Sequence, residues 1–469
     1  MCGVIGFYSA KHDAFSDVVN GLFQMQHRGQ DACGVAISDG RRIRLHKGIG
    51  YVREVFHDRP SDDFAGTIAC GHVRYPTQGG NHISNAQPHM VTTLDGPIMA
   101  FCSNGDLTDY WARRRELEAL GIDFVSDNDG ELIVKYLAWL HMREKLPLEA
   151  SIRRVQAEVH GSFSACLLLR DRLVAFRDPY GVRPLVFGGN DDGDWLVASE
   201  SVALDIARLE LVGEVLPGEI IVFGPDGVSR RPHPDVVGAR RGRIDPAQCV
   251  FEHVYFSRPD ALTFGEHSYS VRKRIGAWLA RHDDVQGDVV VPVPDSSNAV
   301  ALGYAQEAGL PFELGLVRNH YVGRTFIRPD QGRRDDSVRL KFNPVREVFE
   351  GRRVILVDDS IVRGTTSRKL VRMVRGSGAA EVHLRVGSPV VTHSCFYGID
   401  TPNIDDLIGH RYTPEEIREH LTADSLQYMT VEGLREAVGE GQRFCMACFT
   451  GDYPIPLTEA KQMAMAPLA

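Results

Sequence analysis

Residues 354–370 read VILVDDSIVRGTTSRKL, and the order of side chains in this stretch decides the fold of the second half of the chain. An apolar run with strand character ends in two adjacent acids, Asp358 and Asp359. A loop of small residues follows, carrying Ser360, Arg363, Gly364, Thr365 and Thr366, and it opens a helix. Backbone N–H groups and hydroxyls at a helix start make a natural seat for a monophosphate, while the two acids lie where ribose hydroxyls or a cation would sit. The implied ligand is a sugar phosphate. Dinucleotide binding is the rival, but it requires a G-x-G-x-x-G turn after a strand, and none is present.

Outward from this stretch the same grammar repeats. Strand-like DVVVPV, GRRVILV and AEVHLRVGSPVV alternate with helix-like SNAVALGYAQEAG and TSRKLVRMVRGSG, which predicts βαβ units and a mostly parallel sheet. The segment from Arg318 to Arg346 concentrates Arg324, Arg328, Arg333, Arg334, Arg339 and Lys341 among Gly and Asp, the composition of a mobile basic lid over a diphosphate. From Ile221 to Ala247 the sequence turns polar and rich in Pro and Gly, with the basic run GARRGR at 238–243, and reads as a solvated connection. Earlier, GVIGFYS, GVAISDG, TIACGHVRY and ACLLLRDRLVAFRD read as strands bounded by turn residues, and Glu131 to Glu144 reads as a helix behind the acidic start SDNDG. The first half is therefore α+β. A last helix is expected at Val431 to Val438, before a Pro-rich, Met-containing tail.

Composition bounds the function. The 469 residues exceed one ordinary core and suggest two or three compact units. With 43% apolar and 25% charged residues, disorder, collagen and coiled coil are poor fits. Lys and Arg number 53 against 62 Asp and Glu, a formal charge of −9, which argues against a general nucleic-acid binder. No stretch reaches the roughly 18 to 20 apolar residues of a membrane span, and the start MCGVIGFYSAKHD has no secretory pattern, so a cytoplasmic location is expected. Nine cysteines are then thiols for packing, catalysis or metal, not a disulfide scaffold.

Cys2 follows Met1, and removal of the methionine would leave a thiol nucleophile beside its own α-amine, which titrates near neutral pH and can act as base. Alongside it stand HRGQD at 27–31, GHVRYPTQGG at 71–80, SNGDL at 103–107 and DPYGVRPL at 178–185. This set resembles the class II glutamine amidotransferases, which implies that Cys2 attacks the glutamine side-chain amide and releases ammonia. By the same resemblance Arg74 holds the glutamine α-carboxylate, Asp129 its α-amine, and Asn104 with the N–H of Gly105 forms the oxyanion hole. Ser103, Asp106, Pro76 and Gly130 depart from the residues usual in that family, and none removes a catalytic atom.

The paired acids before a phosphate loop resemble a type I phosphoribosyltransferase. With FEHVYFSRPDA at 251–261, the blocks together resemble the amidophosphoribosyltransferases over nearly the whole chain. The implied fold is an N-terminal nucleophile domain of stacked sheets with helices over 2–235, a linker over 236–260, and an α/β phosphoribosyltransferase domain with a cluster-binding tail over 261–469. The implied activity is two-step: ammonia from glutamine displaces diphosphate from 5-phosphoribosyl 1-diphosphate to give 5-phosphoribosylamine, opening purine synthesis. The resemblance further implies a second loop, VPVPDSSNAV at 291–300, that binds diphosphate through Asp295 and Ser296, with Ser297 where the family has Gly. Arg324, Lys341, Asp358, Asp359, Ser360, Arg363, Gly364, Thr365 and Thr366 would complete the sugar-phosphate site, and Ser296, Asp358 and Asp359 would hold Mg²⁺.

CMAC at 445–448 alone could bind zinc, exchange disulfides or be buried. The resemblance places Cys249, Cys395, Cys445 and Cys448 at the ligand positions of a 4Fe–4S cluster, with zinc or an empty site as alternatives. Cys33, Cys70, Cys102 and Cys166 read as core packing. Inhibition by purine nucleotides and assembly into a dimer or tetramer are further implications of the resemblance. The other readings are an amidotransferase for a different sugar phosphate and a regulator that senses phosphoribosyl diphosphate without transferring it.

Overall fold

A computed structural model describes residues 1–75, 80, 82–236, 243–320, 336–401, 403–439 and 443–458. Among these residues the first half folds as two antiparallel sheets laid face to face. One has seven strands in the order Glu210–Glu214, Val186–Gly189, Trp195–Ala198, Gly3–Tyr8, Ile68–Arg74, Ala32–Ser38 and Ile43–Ile49. The other has six: Gly227–Arg231, Ile220–Gly224, Leu173–Arg177, Gly161–Leu169, Gly96–Leu107 and His89–Thr93.

Side chains alternate across a strand, so each sheet feeds two cores. Val4, Ala36, Cys70, Cys102, Cys166 and Leu168 point into the layer between the sheets. The outer face of the seven-stranded sheet, with Ile5, Val35 and Ala69, is covered by Leu22 and Val18 of the Phe15–Gln24 helix. That of the six-stranded sheet, with Phe101 and Ala165, is covered by the Asp129–Met142 and Leu148–Glu158 helices. Four layers result. The Gly3–Tyr8 strand is buried along its whole length because it lies in the middle of this stack, and that is what carries Cys2 into the interior.

Two expectations change. The polar stretch from Ile221 begins inside the sheet: Ile220–Gly224 and Gly227–Arg231 form a hairpin in which Gly224 faces Gly227. Pro225 and Asp226, part of the Pro- and Gly-rich composition that suggested a connection, are its turn, and Ile221 and Phe223 pack between the sheets. The helix expected from Glu131 starts at Asp129, because Asn128 Oδ1 accepts the Gly130 N–H at 3.0 Å and caps it. Residues 237–242, which hold most of GARRGR, lie outside the described residues, and Arg243 is exposed.

The second half holds a four-stranded parallel sheet ordered Val289–Pro292, Arg353–Asp358, Glu381–Val386 and Ser425–Tyr428. Val290, Ile355 and Val357 face the helices Ser268–Arg281 and Asn298–Ala308, while Val289, Leu356 and Leu384 face Leu370 and Val374 of the Thr365–Gly376 helix. The Val431–Val438 helix is present as expected. Burial on both faces explains why these strands read as unbroken apolar runs.

Candidate active sites

Cys2 sits at the mouth of the central strand and is 8% exposed. Its N–H donates to Asn104 Oδ1 at 3.1 Å, and its thiol lies 3.5 Å from the Tyr75 carbonyl oxygen. Asn104 is fully buried in the neighbouring sheet, and among the described residues its side-chain NH₂ has no hydrogen-bond partner. A buried, unsatisfied amide donor costs stability, and this one belongs to the amide that holds the Cys2 N–H. Gly105 follows it on a strand pressed so tightly against its neighbour that a Cβ there would sit 1.8 Å from the Ser162 carbonyl oxygen. Glycine is required.

Arg74 ends the adjacent strand, buried, and donates to the Gly80 carbonyl at 3.3 Å. Burial pulls its guanidinium below the ordinary range, while Cys2, Asp31 and Asp129 act in the opposite sense, so Cys2, Arg74 and Asp129 share one electrostatic neighbourhood. One of the unusual residues, Gly130, now has a physical reason, through the side chain that holds the backbone of Ser103. Gln87 Oε1 accepts the Ser103 N–H at 2.7 Å, and Gln87 Nε2 donates to the Ser103 carbonyl at 3.2 Å. A Cβ on Gly130 would lie 3.1 Å from that same amide, so glycine leaves Gln87 its place. His72 lies with Nε2 3.2 Å from the Ser103 carbonyl, and burial followed by the Arg74 charge pushes its pKa down to about 3, so it is neutral and donates there. Pro76 lies outside the described residues.

Arg28, within HRGQD, was not assigned a role from the sequence. Fully buried, it donates from Nε to the Cys2 carbonyl at 3.1 Å, from Nη1 to Glu200, and from Nη2 to Glu252 Oε1 at 2.8 Å. His27 Nε2 and the Arg258 N–H also meet Glu200, at 2.8 and 3.0 Å. Burial would raise the Glu200 carboxyl, but His27 and Arg28 hold it well below the carboxylate range. Arg272 extends the network by donating to the carbonyls of His253 and Ser257 at 2.8 and 2.7 Å. The available sequence signal was a lone acid, Glu252, inside the apolar and aromatic run of 250–256.

In the second half, Asp358 and Asp359 leave the C-terminal end of a central parallel strand, each 7% exposed. The Asp359 N–H donates to Asp358 Oδ1 at 3.0 Å, Ser360 Oγ donates to Asp359 Oδ1 at 2.6 Å, and the Ser296 hydroxyl donates to its other oxygen. Burial raises both carboxyls, and Asp359 raises Asp358 further. Such a pair calls for a cation or donors between the oxygens. Gly364 at φ +73° turns the chain into the Thr365–Gly376 helix, so Thr365 and Thr366 stand exposed with the free N–H groups of the first turn.

Arg363 is exposed, 3.8 Å from Asp406. Asp295 is held by Arg318 Nη1 at 2.6 Å, and the charge of Lys341 acts to lower the Asp358 carboxyl. Ser297 occupies an ordinary φ of −87°, so the position needs no glycine. Arg324, Arg328, Arg333 and Arg334 lie outside the described residues, as does the side chain of Arg339; the segment's ends are zipped as the antiparallel pair Leu316–Arg318 and Phe342–Pro344.

Cys249, Cys395, Cys445 and Cys448 line one pocket, with Arg183 and Tyr397 at its wall. Cys249 and Cys445 face each other in register across a parallel two-stranded ribbon. Burial pushes Cys249 up to about 11 and raises Cys445 and Cys448 as well, with the neighbouring thiols adding to the effect at each. Converging buried thiols suit a polynuclear group whose positive charge takes them as thiolates. Among the described residues no group of three or more His, Cys, Asp or Glu side chains is arranged to hold a metal ion. Cys33, Cys70, Cys102 and Cys166 are fully buried among apolar side chains, as packing residues should be.

Residues 79–205 match the model of a glutamine amidotransferase domain. The chain is 44% identical over 464 residues to an amidophosphoribosyltransferase of Methanocaldococcus jannaschii, covering 97% of this chain and 98% of that one. It is 43% identical over 465 residues to the chloroplastic amidophosphoribosyltransferase 2 of Arabidopsis thaliana, covering 98% of this chain and 80% of that protein. Two solved structures superpose with TM-scores of 0.89 at 37% identity: one described as the allosteric regulatory enzyme of purine biosynthesis, covering 100% of both chains, and the glutamine phosphoribosylpyrophosphate amidotransferase of B. subtilis complexed with ADP and GMP, covering 98% of both.

Proposed function

The chain belongs to the amidophosphoribosyltransferase family and is a glutamine-dependent pentosyltransferase of purine synthesis; on that premise we propose which of its residues perform each half of the reaction. Cys2 is the nucleophile of glutamine hydrolysis. Once its α-amine is free, Asn104 Oδ1 orients that amine, which takes the thiol proton as sulfur attacks the carboxamide carbon. Charge then gathers on the amide oxygen and is met by the Asn104 NH₂ and the Gly105 N–H. Collapse expels ammonia with the proton returned by the amine, leaving a thioester that water resolves. Arg74 and Asp129 hold the two ends of the amino acid. The observation that carries this reading is the buried, unpartnered NH₂ of Asn104 on the amide whose oxygen holds the Cys2 N–H.

At the second site the start of the Thr365–Gly376 helix, with Ser360, Arg363, Gly364, Thr365 and Thr366, takes the 5-phosphate, and Asp358 and Asp359 take the ribose hydroxyls. Asp295, Ser296, Arg324 and Lys341 take the diphosphate. Ser296, Asp358 and Asp359 would hold Mg²⁺, whose charge neutralises the leaving diphosphate; their mutual contacts support that set. Cys249, Cys395, Cys445 and Cys448 would hold a 4Fe–4S cluster that braces the fold and takes no part in the chemistry. The glutaminase unit spans 2–235 and the transferase unit 261–469, joined by a 236–260 segment that is itself partly core, since Val250 and Val254 are buried. Purine nucleotides act as feedback inhibitors, as the ADP and GMP named with the B. subtilis relative suggest.

Cys2→Ala tests the reading. It should abolish glutamine-dependent synthesis and leave ammonia-dependent synthesis near the parent value; unchanged glutamine turnover would remove Cys2 from the reaction.

A further inference from the structure

The segment that carries Cys395 continues past the cysteine pocket to the back of the oxyanion strand. The Tyr397 carbonyl accepts from Arg183 Nε and Nη2 at 2.8 and 2.5 Å and from Ser162 Oγ at 2.8 Å. Ser162 lies on the strand paired with residues 99–107, opposite Asp106 and one place from the partner of Gly105. Gly398, at φ +100°, rests on Gly105 itself: a Cβ there would sit 3.0 Å from the carbonyl carbon and oxygen of Gly105 and 3.2 Å from its Cα. These are backbone atoms and have no rotamer by which to yield. Two residues on, Asp400 Oδ2 accepts from the Tyr75 hydroxyl at 3.3 Å, and Tyr75 is the residue whose carbonyl meets the Cys2 thiol. At the pocket end, Cys395 and Tyr397 are both part of its wall.

We infer that residues 397–400 are a positioning element for glutamine hydrolysis, with Gly398 fixing the place of the Gly105 donor, so that filling the four-cysteine seat is transmitted to that site through Cys395. The inference rests on the roles proposed above for Gly105 and for the four cysteines. The physical reason is geometric. An oxyanion donor is worth most when it is fixed before charge develops, and a small displacement forfeits much of its effect. Gly105 has Ser162 on one side and Gly398 on another, so the segment that holds Gly398 also sets how firmly Gly105 is held.

The iron-loaded enzyme carrying Gly398→Ala is expected to lose roughly 10- to 100-fold in kcat for glutamine hydrolysis with KM within about twofold, because the donor acts in the transition state. Ammonia-dependent synthesis, iron content and visible absorption should match the parent. Should Gly398→Ala fail to fold, deuterium uptake of the parent decides: the peptide spanning 99–107 should exchange more slowly in the iron-loaded protein than after chelation. A Gly398→Ala kcat within twofold of the parent, or equal uptake in the two states, overturns the inference. Glutamine hydrolysis that survives Cys2→Ala would instead overturn the site assignment beneath it.

Discussion

Asn104 is where one side chain carries the sharpest expectation for turnover. Its two polar ends are split, with the oxygen on the Cys2 N–H and the NH₂ buried without a partner. Asn104→Ala should therefore lower kcat for glutamine by roughly 100- to 1,000-fold while ammonia-dependent synthesis persists, measured by following both activities in one preparation. Ser297 makes an opposite case. Its hydroxyl is fully buried and, among the described residues, unpartnered, at a backbone angle any residue can adopt. Removing it in Ser297→Ala should raise stability by about 1 kcal/mol, read as a later urea midpoint, since burying an unpaired hydroxyl costs about 1–3 kcal/mol. Asn104 was legible from the sequence because SNGDL at 103–107, taken with the Cys2 start, resembles a known family pattern. Gln87 was not, because its job is to pair both backbone groups of Ser103, and no local pattern signals a side chain bonding to a distant strand. The same holds for Gly398, whose partner is some three hundred positions away.

Among the elements, the strand, loop and helix of 353–376 were readable almost residue by residue. An unbroken apolar strand, an acid pair and a Gly before Thr-Thr each have a local cause, and the Thr365–Gly376 helix begins directly after Gly364. The loop's shape depends on Gly364, at φ +73°, where a Cβ would also lie 2.5 Å from Ile408 Cδ1. Gly364→Ala should raise KM for 5-phosphoribosyl 1-diphosphate about tenfold, the equivalent of the 1–2 kcal/mol that a left-handed conformation costs a non-glycine residue, and leave glutamine hydrolysis intact. Adding Ile408→Ala relieves the contact but not the backbone angle, so the double variant should recover only partly. The 220–231 hairpin failed to show because Pro, Asp and Gly mark both turns and linkers. Only the inward-facing Ile221 and Phe223, buried against the opposite sheet, tell the two apart.

At the scale of the whole molecule, the halves meet through buried charge as well as apolar packing. Arg28 reaches from the glutaminase sheets to Glu252, and Glu200 returns to the Arg258 N–H. Breaking such a network strands a charge in the interior, so Arg28→Met should cost about 3–5 kcal/mol. Its pH dependence has a definite sign. The folded-state pKa of Glu200 is depressed, so the carboxylate binds fewer protons folded than unfolded. Its contribution is fully present above the unfolded value of about 4.3 and is lost as pH falls from there toward the lower folded value. Urea midpoints of the parent should accordingly fall as pH drops from about 5 to 3, and those of Glu200→Gln should start lower and vary less across that window. Parallel curves would mean that Glu200 is already paired in the unfolded chain. Curves that converge only at high pH would reverse the sign and remove Glu200 as the carboxylate joining the two halves.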